Sequence, residues 1–352
     1  MLPHWSLRNN VTYTGLAAPF VTTLVDTPSN SLSSNKKKVI VDLSADHRFL
    51  CGLPDLSVSS DIQNMNDHRW TYGLPERYRK ELSSETEALL VANPGCYATG
   101  AQMGLYPLAL SSKEDGYYGI KLNSRPNIFG VSGYSGAGTT PSDKNNLNKL
   151  EGNLMPYSLT NHIHEREIGQ LCGMPVNFMP HVGAHFRGIT LTISVELDRP
   201  CHDANELHNQ FVQYYQVRNL IFVLTTIKCS YYQILSTINL THITLFMDSF
   251  FSFFQNDPLI RVMDIIPEVK WNAGGHHVCV GGFTVSKDGT RAVICVTIDN
   301  LLKGAATQAL ANGNLGLGLD ELMGIHVPEE KGWELDNSSM AAAHNQFVRG
   351  GL

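Results

Sequence analysis

The sequence predicts two linked fold classes: an α/β front half and an α+β back half whose sheet is largely antiparallel. Three observations carry this. In the front half, Val39–Leu43 and Ala88–Ala92 are short unbroken apolar runs, the pattern of strands buried on both faces of a parallel sheet. After the second run, Asn93-Pro94-Gly95 supplies turn chemistry, and from Tyr97 the period turns helical, with Ala98, Ala101, Leu105 and Leu108 on about one face. In the back half, Ile189–Leu197 alternates apolar and polar residues. His277–Val285 and Ala292–Asp299 flank Lys287-Asp288-Gly289 and read as a hairpin.

Composition narrows the function classes. A chain of 352 residues, 43% of them hydrophobic, is long enough for two ordinary cores. A formal charge of −6 with no basic run argues against nucleic acid as a partner. The seven Cys show no CxxC pair, which favours reduced thiols in a cytosolic or matrix setting and gives no zinc signature. The opening MLPHWSLRNN lacks the apolar core of a secretory signal and the Arg- and Ser-rich character of a transit peptide.

Taken in order, residues 1–37 say least: Leu16–Leu24 is a candidate helix, and Asp26–Lys38 a polar loop. Strand Val39–Leu43 delivers Ser44-Ala45-Asp46-His47-Arg48 to its C-terminal end, where α/β sheets keep their ligand sites. Arg48 there either grips a phosphate or carboxylate bidentately or pairs with Asp46. Cys96 stands where a strand becomes a helix, and free N–H groups and the positive end of the dipole favour its thiolate. Strand-like Gly119–Leu122 leads to a glycine/serine loop over Asn127–Gly138, whose main chain can approach a ligand closely through Ser132, Gly133, Ser135 and Gly136. Lys144–Leu150 is polar and reads as loop.

Next come His162 and His164 in Asn161-His-Ile-His-Glu-Arg-Glu-Ile168. Thr160 or Asn161 is placed to cap a helix that runs through Glu165, Glu167 and Leu171. On that helix His164 and Glu167 share a face, so the carboxylate is expected to fix the imidazole tautomer. A His-x-His pair can also hold metal, but no third ligand has convincing spacing, so no metal is expected. Leu301–Ala311 is an Ala-rich helix with Asn300 at its start.

Two features break the pattern. No strand, glycine-rich turn and helix precede residue 39, although a dinucleotide-binding domain opens on that unit. The expectation is a chain that enters its nucleotide domain midway, being either truncated or part of a longer protein. Between Tyr214-Tyr215-Gln216 and Asp257–Ile260, Val217–Asn256 abounds in Ile, Leu, Phe, Thr and Ser. Asn219, Lys228, Asn239 and His242 interrupt every long apolar window, which excludes a clean membrane span. A lineage-specific helical excursion would expose an apolar patch. The preferred expectation is a retained intron. Val217-Arg218 can be coded as a splice-donor-like start, and Leu240-Thr241-His242 with CTAAC. Phe250–Gln255 fits a pyrimidine tract ending in CAG, and removing Val217–Gln255 deletes 39 codons in frame.

The blocks VIVDLSADHRF (39–49), WTYGLPE (70–76), VANPGCYAT (91–99), SGYSGAG (132–138), NHIHEREI (161–168), HFRGI (185–189) and DNLLKGAATQAL (299–310) together resemble the N-acetyl-γ-glutamyl-phosphate reductases of arginine biosynthesis. The Tyr157–Glu167 stretch is similar to the fungal version, the reductase part of an acetylglutamate kinase–reductase precursor. That resemblance implies a partial Rossmann-like NADP-binding domain over residues 1–95. A glyceraldehyde-3-phosphate-dehydrogenase-like catalytic and dimerisation domain would follow over 96–300, and a helix returning to the nucleotide domain plus a tail over 301–352. It implies NADPH as cofactor and N-acetyl-γ-glutamyl phosphate as substrate, with phosphate released. It further implies a homo-oligomer, acetylglutamate kinase as a partner, and a mitochondrial matrix setting, with the cytoplasm as the alternative. The expected roles are Cys96 as nucleophile, and His164, with His162 second, as acid/base supported by Glu167. Arg48, Asn93 and Arg187 are expected on the substrate, and Ser132, Gly133, Ser135, Gly136 and Asn300 on the cofactor. Competing readings are an aspartate-semialdehyde dehydrogenase, an inactive reductase remnant and a cysteine hydrolase.

Overall fold

The structure is a computed structural model and describes residues 37–50, 70–84, 88–110, 116–215 and 257–327. The candidate helix at 16–24 and the insertion at 217–255 lie outside the described residues.

The front sheet has three parallel strands in the order β1 (Lys38–Asp42), β3 (Ala88–Ala92), β2 (Trp70–Tyr72). After β2, helix α1 (Pro75–Leu82) opens on a proline, whose missing N–H costs nothing at a first helical position. Beyond β3 the chain turns through Asn93-Pro94-Gly95 into α2 (Cys96–Ala109), as the sequence predicts. Leu89 and Val91 of β3 bury against Leu82 of α1.

The back sheet has seven strands. In chain order they are β4 (Asn127–Gly133), β5 (Leu154–Pro156), β6 (Asn177–Gly183), β7 (Ile189–Glu196), β8 (Ile260–Val262), β9 (Val278–Val285) and β10 (Arg291–Ile298). They lie in the order β5-β6-β4-β7-β10-β9-β8, and four of the six pairings are antiparallel. Helix α3 (Ile163–Cys172) precedes β6, and a helix over 204–215, α4, follows β7. Leu191, Ile193, Val296 and Ile298 turn one sheet face toward α2 and are all fully buried.

Three expectations need correction. Asn127–Gly133 is a mid-sheet strand rather than a loop, hydrogen-bonded to β6 on one side and β7 on the other. Its glycine and serine look like turn chemistry, but pairing on both edges overrides weak intrinsic preference. Gly119–Leu122 contributes only an isolated bridge, Ile120 to Leu197. Lys144–Leu150 holds two single helical turns, Asp143–Asn145 and Leu147–Leu150, instead of plain loop.

After β10 the chain makes a π-helical turn over Leu302–Ala306, with Gly304 N donating to Asp299 O at 2.8 Å and Ala306 N to Leu301 O at 3.0 Å. Helix α5 (Thr307–Gly316) follows, so the expected helix at 301–311 starts and ends later. It docks on the front sheet: Leu315 joins the Leu82–Leu89–Val91 cluster, and Gln308 Nε2 and Asn312 Nδ2 donate to Gly73 O at 2.9 and 2.8 Å.

Lys303, fully buried in the π turn, donates through Nζ to Glu76 Oε1 of α1, itself buried. Removing one partner of such a pair strands a charge away from water. Lys303→Met is expected to cost about 3–5 kcal/mol, read as a lowered urea midpoint. An unchanged midpoint would show that Glu76 takes up a proton or water instead.

Candidate active site

The site forms where the C-terminal ends of the front strands meet the start of α2. At the end of β1, the Asp42 carboxylate is buried and accepts from Ser44 N at 2.8 Å, Ser44 Oγ at 2.9 Å and His47 Nδ1 at 2.6 Å. His47 stacks on Trp70 at 3.9 Å. These contacts fold 44–47 into a tight loop and aim Arg48 inward.

There Arg48 is held by three bonds to protein. Its Nε donates to Asn93 O at 2.8 Å, Nη1 to Glu167 Oε2 at 3.3 Å and Nη2 to Leu43 O at 3.0 Å. Each nitrogen of the fork makes one bond to protein, and Nη1 and Nη2 each keep a second N–H; none of these bonds goes to Asp46. Asn93 is likewise an internal clamp. Its Nδ2 donates to Ala305 O at 3.4 Å and its Oδ1 accepts from Asn312 Nδ2 at 3.0 Å, with the residue buried. Its side chain fastens the nucleophile turn to the returning segment.

Cys96 is the first residue of α2 and partly exposed. A Cβ built on Gly95 would lie 2.2 Å from His164 Nε2 and 2.8 Å from Arg48 Nη1. The imidazole and the guanidinium therefore rest against the residue preceding the thiol, an approach that only glycine permits. A Cβ on Gly304 would lie 2.7 Å from the Cβ of Cys96, so the π turn packs closely against the first residue of α2.

In the free chain the surroundings of Cys96 act against the thiolate. Burial pushes the Cys96 thiol up to about 11; the Tyr97 N–H and the charge of Arg48 pull it down by less, and the Glu167 charge adds to the rise. A helix start alone does not outweigh desolvation here. His164 is held well below its usual value by burial and by the neighbouring His162 and Arg48. Both shifts favour an uncharged thiol and an uncharged imidazole at neutral pH.

Neither Thr160 nor Asn161 caps α3. His162 does, its Nδ1 accepting from His164 N at 3.1 Å. Burial, with Lys144 nearby, lowers His162 to about 4, which keeps this nitrogen a lone-pair acceptor. His162 and His164 lie edge to face at 4.9 Å. Glu167 does not orient His164: its Oε1 accepts from Gly95 N at 2.9 Å and Tyr72 Oη at 2.7 Å. The Nδ1 of His164 is buried with no hydrogen-bond partner among the described residues.

A second cluster adjoins the first. Asn300 Oδ1 accepts from Gly188 N at 2.7 Å and its Nδ2 donates to Ser135 Oγ at 3.0 Å. Ser135 lies on the helical turn Tyr134–Ala137 that continues β4. Ser132 is buried and donates to Gly133 O at 2.9 Å. Arg187, part-exposed, donates through Nε to Asp299 Oδ2 at 2.5 Å. Asp299, fully buried, also accepts from Leu301 N and Leu302 N at 2.9 Å and so starts the π turn. The structure thus groups Cys96, His162 and His164, groups Ser135, Arg187 and Asn300, and joins the two through 299–304.

Sequence reasoning passed over Tyr72, Asp299 and Gly304. Tyr72 lies inside the WTYGLPE block and Asp299 directly precedes Asn300. Their partners are more than 90 residues away, beyond the reach of spacing. Among the described residues no group of three or more His, Cys, Asp or Glu can hold a metal, and no helix is long and apolar enough to cross a membrane.

A family model described as semialdehyde dehydrogenase, dimerisation domain, matches residues 96–252. The N-acetyl-gamma-glutamyl-phosphate reductase of Stenotrophomonas maltophilia is 42% identical over 311 residues, 88% of this chain and 74% of that protein. Protein arg11, mitochondrial, of Schizosaccharomyces pombe is 45% identical over 313 residues, 89% of this chain. Bifunctional protein argC, mitochondrial, of Dictyostelium discoideum is 40% identical over 88% of this chain. The chain spans 27% of each of these two mitochondrial relatives.

Proposed function

This chain belongs to the N-acetyl-γ-glutamyl-phosphate reductase family, and on that premise we propose that it converts N-acetyl-γ-glutamyl phosphate to N-acetylglutamate semialdehyde in arginine biosynthesis. The observation that carries the reading is the seating of His164 against the Gly95–Cys96 turn, with the thiol at a helix start.

An acyl phosphate is already activated, so the chain's task is capture. Cys96 Sγ bonds to the acyl carbon as the carbon–oxygen bond to phosphate breaks, and neutral His164 takes the thiol proton during attack. Both start uncharged, so proton removal accompanies bond formation instead of preceding it. N–H groups of the first turn of α2 face the developing oxyanion. Arg187, anchored by Asp299 yet part-exposed, is the cation for an anionic group of the substrate. Arg48 and Glu167 set the turn.

The residues fit the carboxamide of a nicotinamide at one point. Asn300 retains one amide N–H beyond its bond to Ser135, and the Ser135 hydroxyl, an acceptor in that bond, keeps its own proton to donate. Gly133 and Gly136 belong to the same segment. NADPH, when bound, supplies the hydride that reduces the thioester. His164 then returns its proton as the aldehyde departs and the thiol re-forms.

The domain reading that accompanies this is a front unit over 1–95, a catalytic and dimer-forming unit over 96–300, and a return over 301–352, supported by the docking of α5 on the front sheet. A homo-oligomer, a kinase partner and a mitochondrial matrix setting are supported by the dimerisation-domain match and by the bifunctional and mitochondrial names of the relatives.

The test runs the reaction backward with NADP and phosphate. N-acetylglutamate semialdehyde is expected to give phosphate-dependent NADPH formation with kcat/KM about 100-fold above that for aspartate semialdehyde. Equal rates for the two aldehydes, phosphate-independent turnover, or NADPH binding no tighter than millimolar would each overturn the assignment.

A further inference from the structure

A chain of buried hydrogen bonds runs behind the nucleophile. Tyr106 Oη donates to Gln102 Oε1, and Gln102 Nε2 donates to Tyr72 Oη at 2.8 Å and to Ala98 O at 2.9 Å. Tyr72 Oη donates to Glu167 Oε1 at 2.7 Å, and the same oxygen accepts from Gly95 N at 2.9 Å. Arg48 Nη1 donates to the other carboxylate oxygen at 3.3 Å. Tyr72, Tyr106, Gln102 and Glu167 are all at most 2% exposed.

The direction of this chain is fixed. A carboxylate only accepts, so Tyr72 must donate to it, and the phenol oxygen then receives from Gln102. Burial, and then the charge of Glu167, hold the Tyr72 phenol well above its usual value, so its proton stays on the oxygen. The chain ends on the N–H of Gly95, the peptide next to Cys96 and the surface on which His164 rests.

Resting on the reading of Cys96 as nucleophile, we infer that Tyr72 is a positioning residue. It holds Glu167 so that the carboxylate grips Gly95 N–H, which sets the separation of the Cys96 thiol and the His164 imidazole. Tyr72 bonds to neither group and acts through Glu167. Without its hydroxyl, Glu167 Oε1 keeps one donor of two and Gln102 Nε2 loses an acceptor. The carboxylate is then free to turn, and the Gly95 peptide with it. Small displacements at such a turn carry large rate costs.

The test is Tyr72→Phe in the full chain, alone and combined with His164→Asn. The readouts are steady-state turnover and the alkylation rate of Cys96 by iodoacetamide at pH 7, followed by mass spectrometry of its own peptide. The expected result is a fall in kcat of about 30-fold with KM within about 3-fold. Cys96 alkylation slows about 10-fold in the parent but not in the His164→Asn background, because the lost geometry is the geometry to that imidazole. Unchanged kcat and alkylation in folded Tyr72→Phe would overturn the inference. So would an equal slowing in both backgrounds, or a lowered Tm alone. If Tyr72→Phe does not fold, Gln102→Met, which removes the donor to Tyr72, is read by the same criteria. Turnover retained by Cys96→Ser would sink the underlying reading instead, while the alkylation cycle would still report on the geometry.

Discussion

Cys96→Ser is expected to fold normally and lose at least about 10³-fold in turnover. Serine is close to isosteric, so the contact with Gly304 survives, and circular dichroism and Tm should match the parent. The hydroxyl is a far poorer nucleophile, and no other cysteine among the described residues begins a helix against an imidazole. Retained activity would remove Cys96 from the mechanism.

The same thiol gives a pH test. Its value of about 11 lies above that of an ordinary cysteine, so alkylation of the free chain should climb through pH 9–10 without levelling off near neutrality. The sign for stability follows. The unfolded chain gives up this proton first, so the group's contribution is fully present below the ordinary cysteine range and is lost as pH rises toward about 11. A plateau in alkylation at pH 6–7 would mean a standing thiolate–imidazolium pair and would contradict an uncharged start.

The second large effect belongs to His164. His164→Asn is expected to lower kcat by about 10²–10⁴-fold, the range for loss of a positioned general base. Because burial, His162 and Arg48 hold its imidazole well below the usual value, it is neutral at pH 7 and ready to accept. The acidic limb of the rate profile should accordingly fall well below pH 6.5. His162→Asn is the companion variant. Asparagine is itself a good cap, so α3 keeps an acceptor for the His164 N–H, and the loss should be much smaller. If the two losses were exchanged, His162 would be the acid/base.

Much of the scaffold is legible in the sequence because it is local. β3, the turn at Asn93–Gly95 and α2 are read from one unbroken stretch, and β7, β9 and β10 from alternation and a hairpin turn. β4 was hidden because its glycine and serine mimic a loop, and only neighbours on both edges reveal it as a strand. At the site, spacing finds the residues but not the partners of their polar atoms. Arg48, Asn93 and Glu167 each make bonds to protein groups far away in sequence. Sequence spacing places Glu167 beside His164 on one helix; it does not show Tyr72 and Gly95 arriving from other elements. The thiol illustrates a related limit of spacing, since helix polarity is visible in one dimension and desolvation is not.

The seat of Gly304 against Cys96 has a genetic corollary. Every group assigned a chemical part above, apart from Asn300, is encoded before codon 300, so a late nonsense allele would look mild on a map of catalytic positions. It would nevertheless delete the segment packed against the Cys96 Cβ and the carboxamides that bind α5 to the front sheet and its nucleophile turn. Alleles in that final stretch should therefore behave as nulls, and complementation between an early and a late lesion would require the tail to be delivered by a second polypeptide.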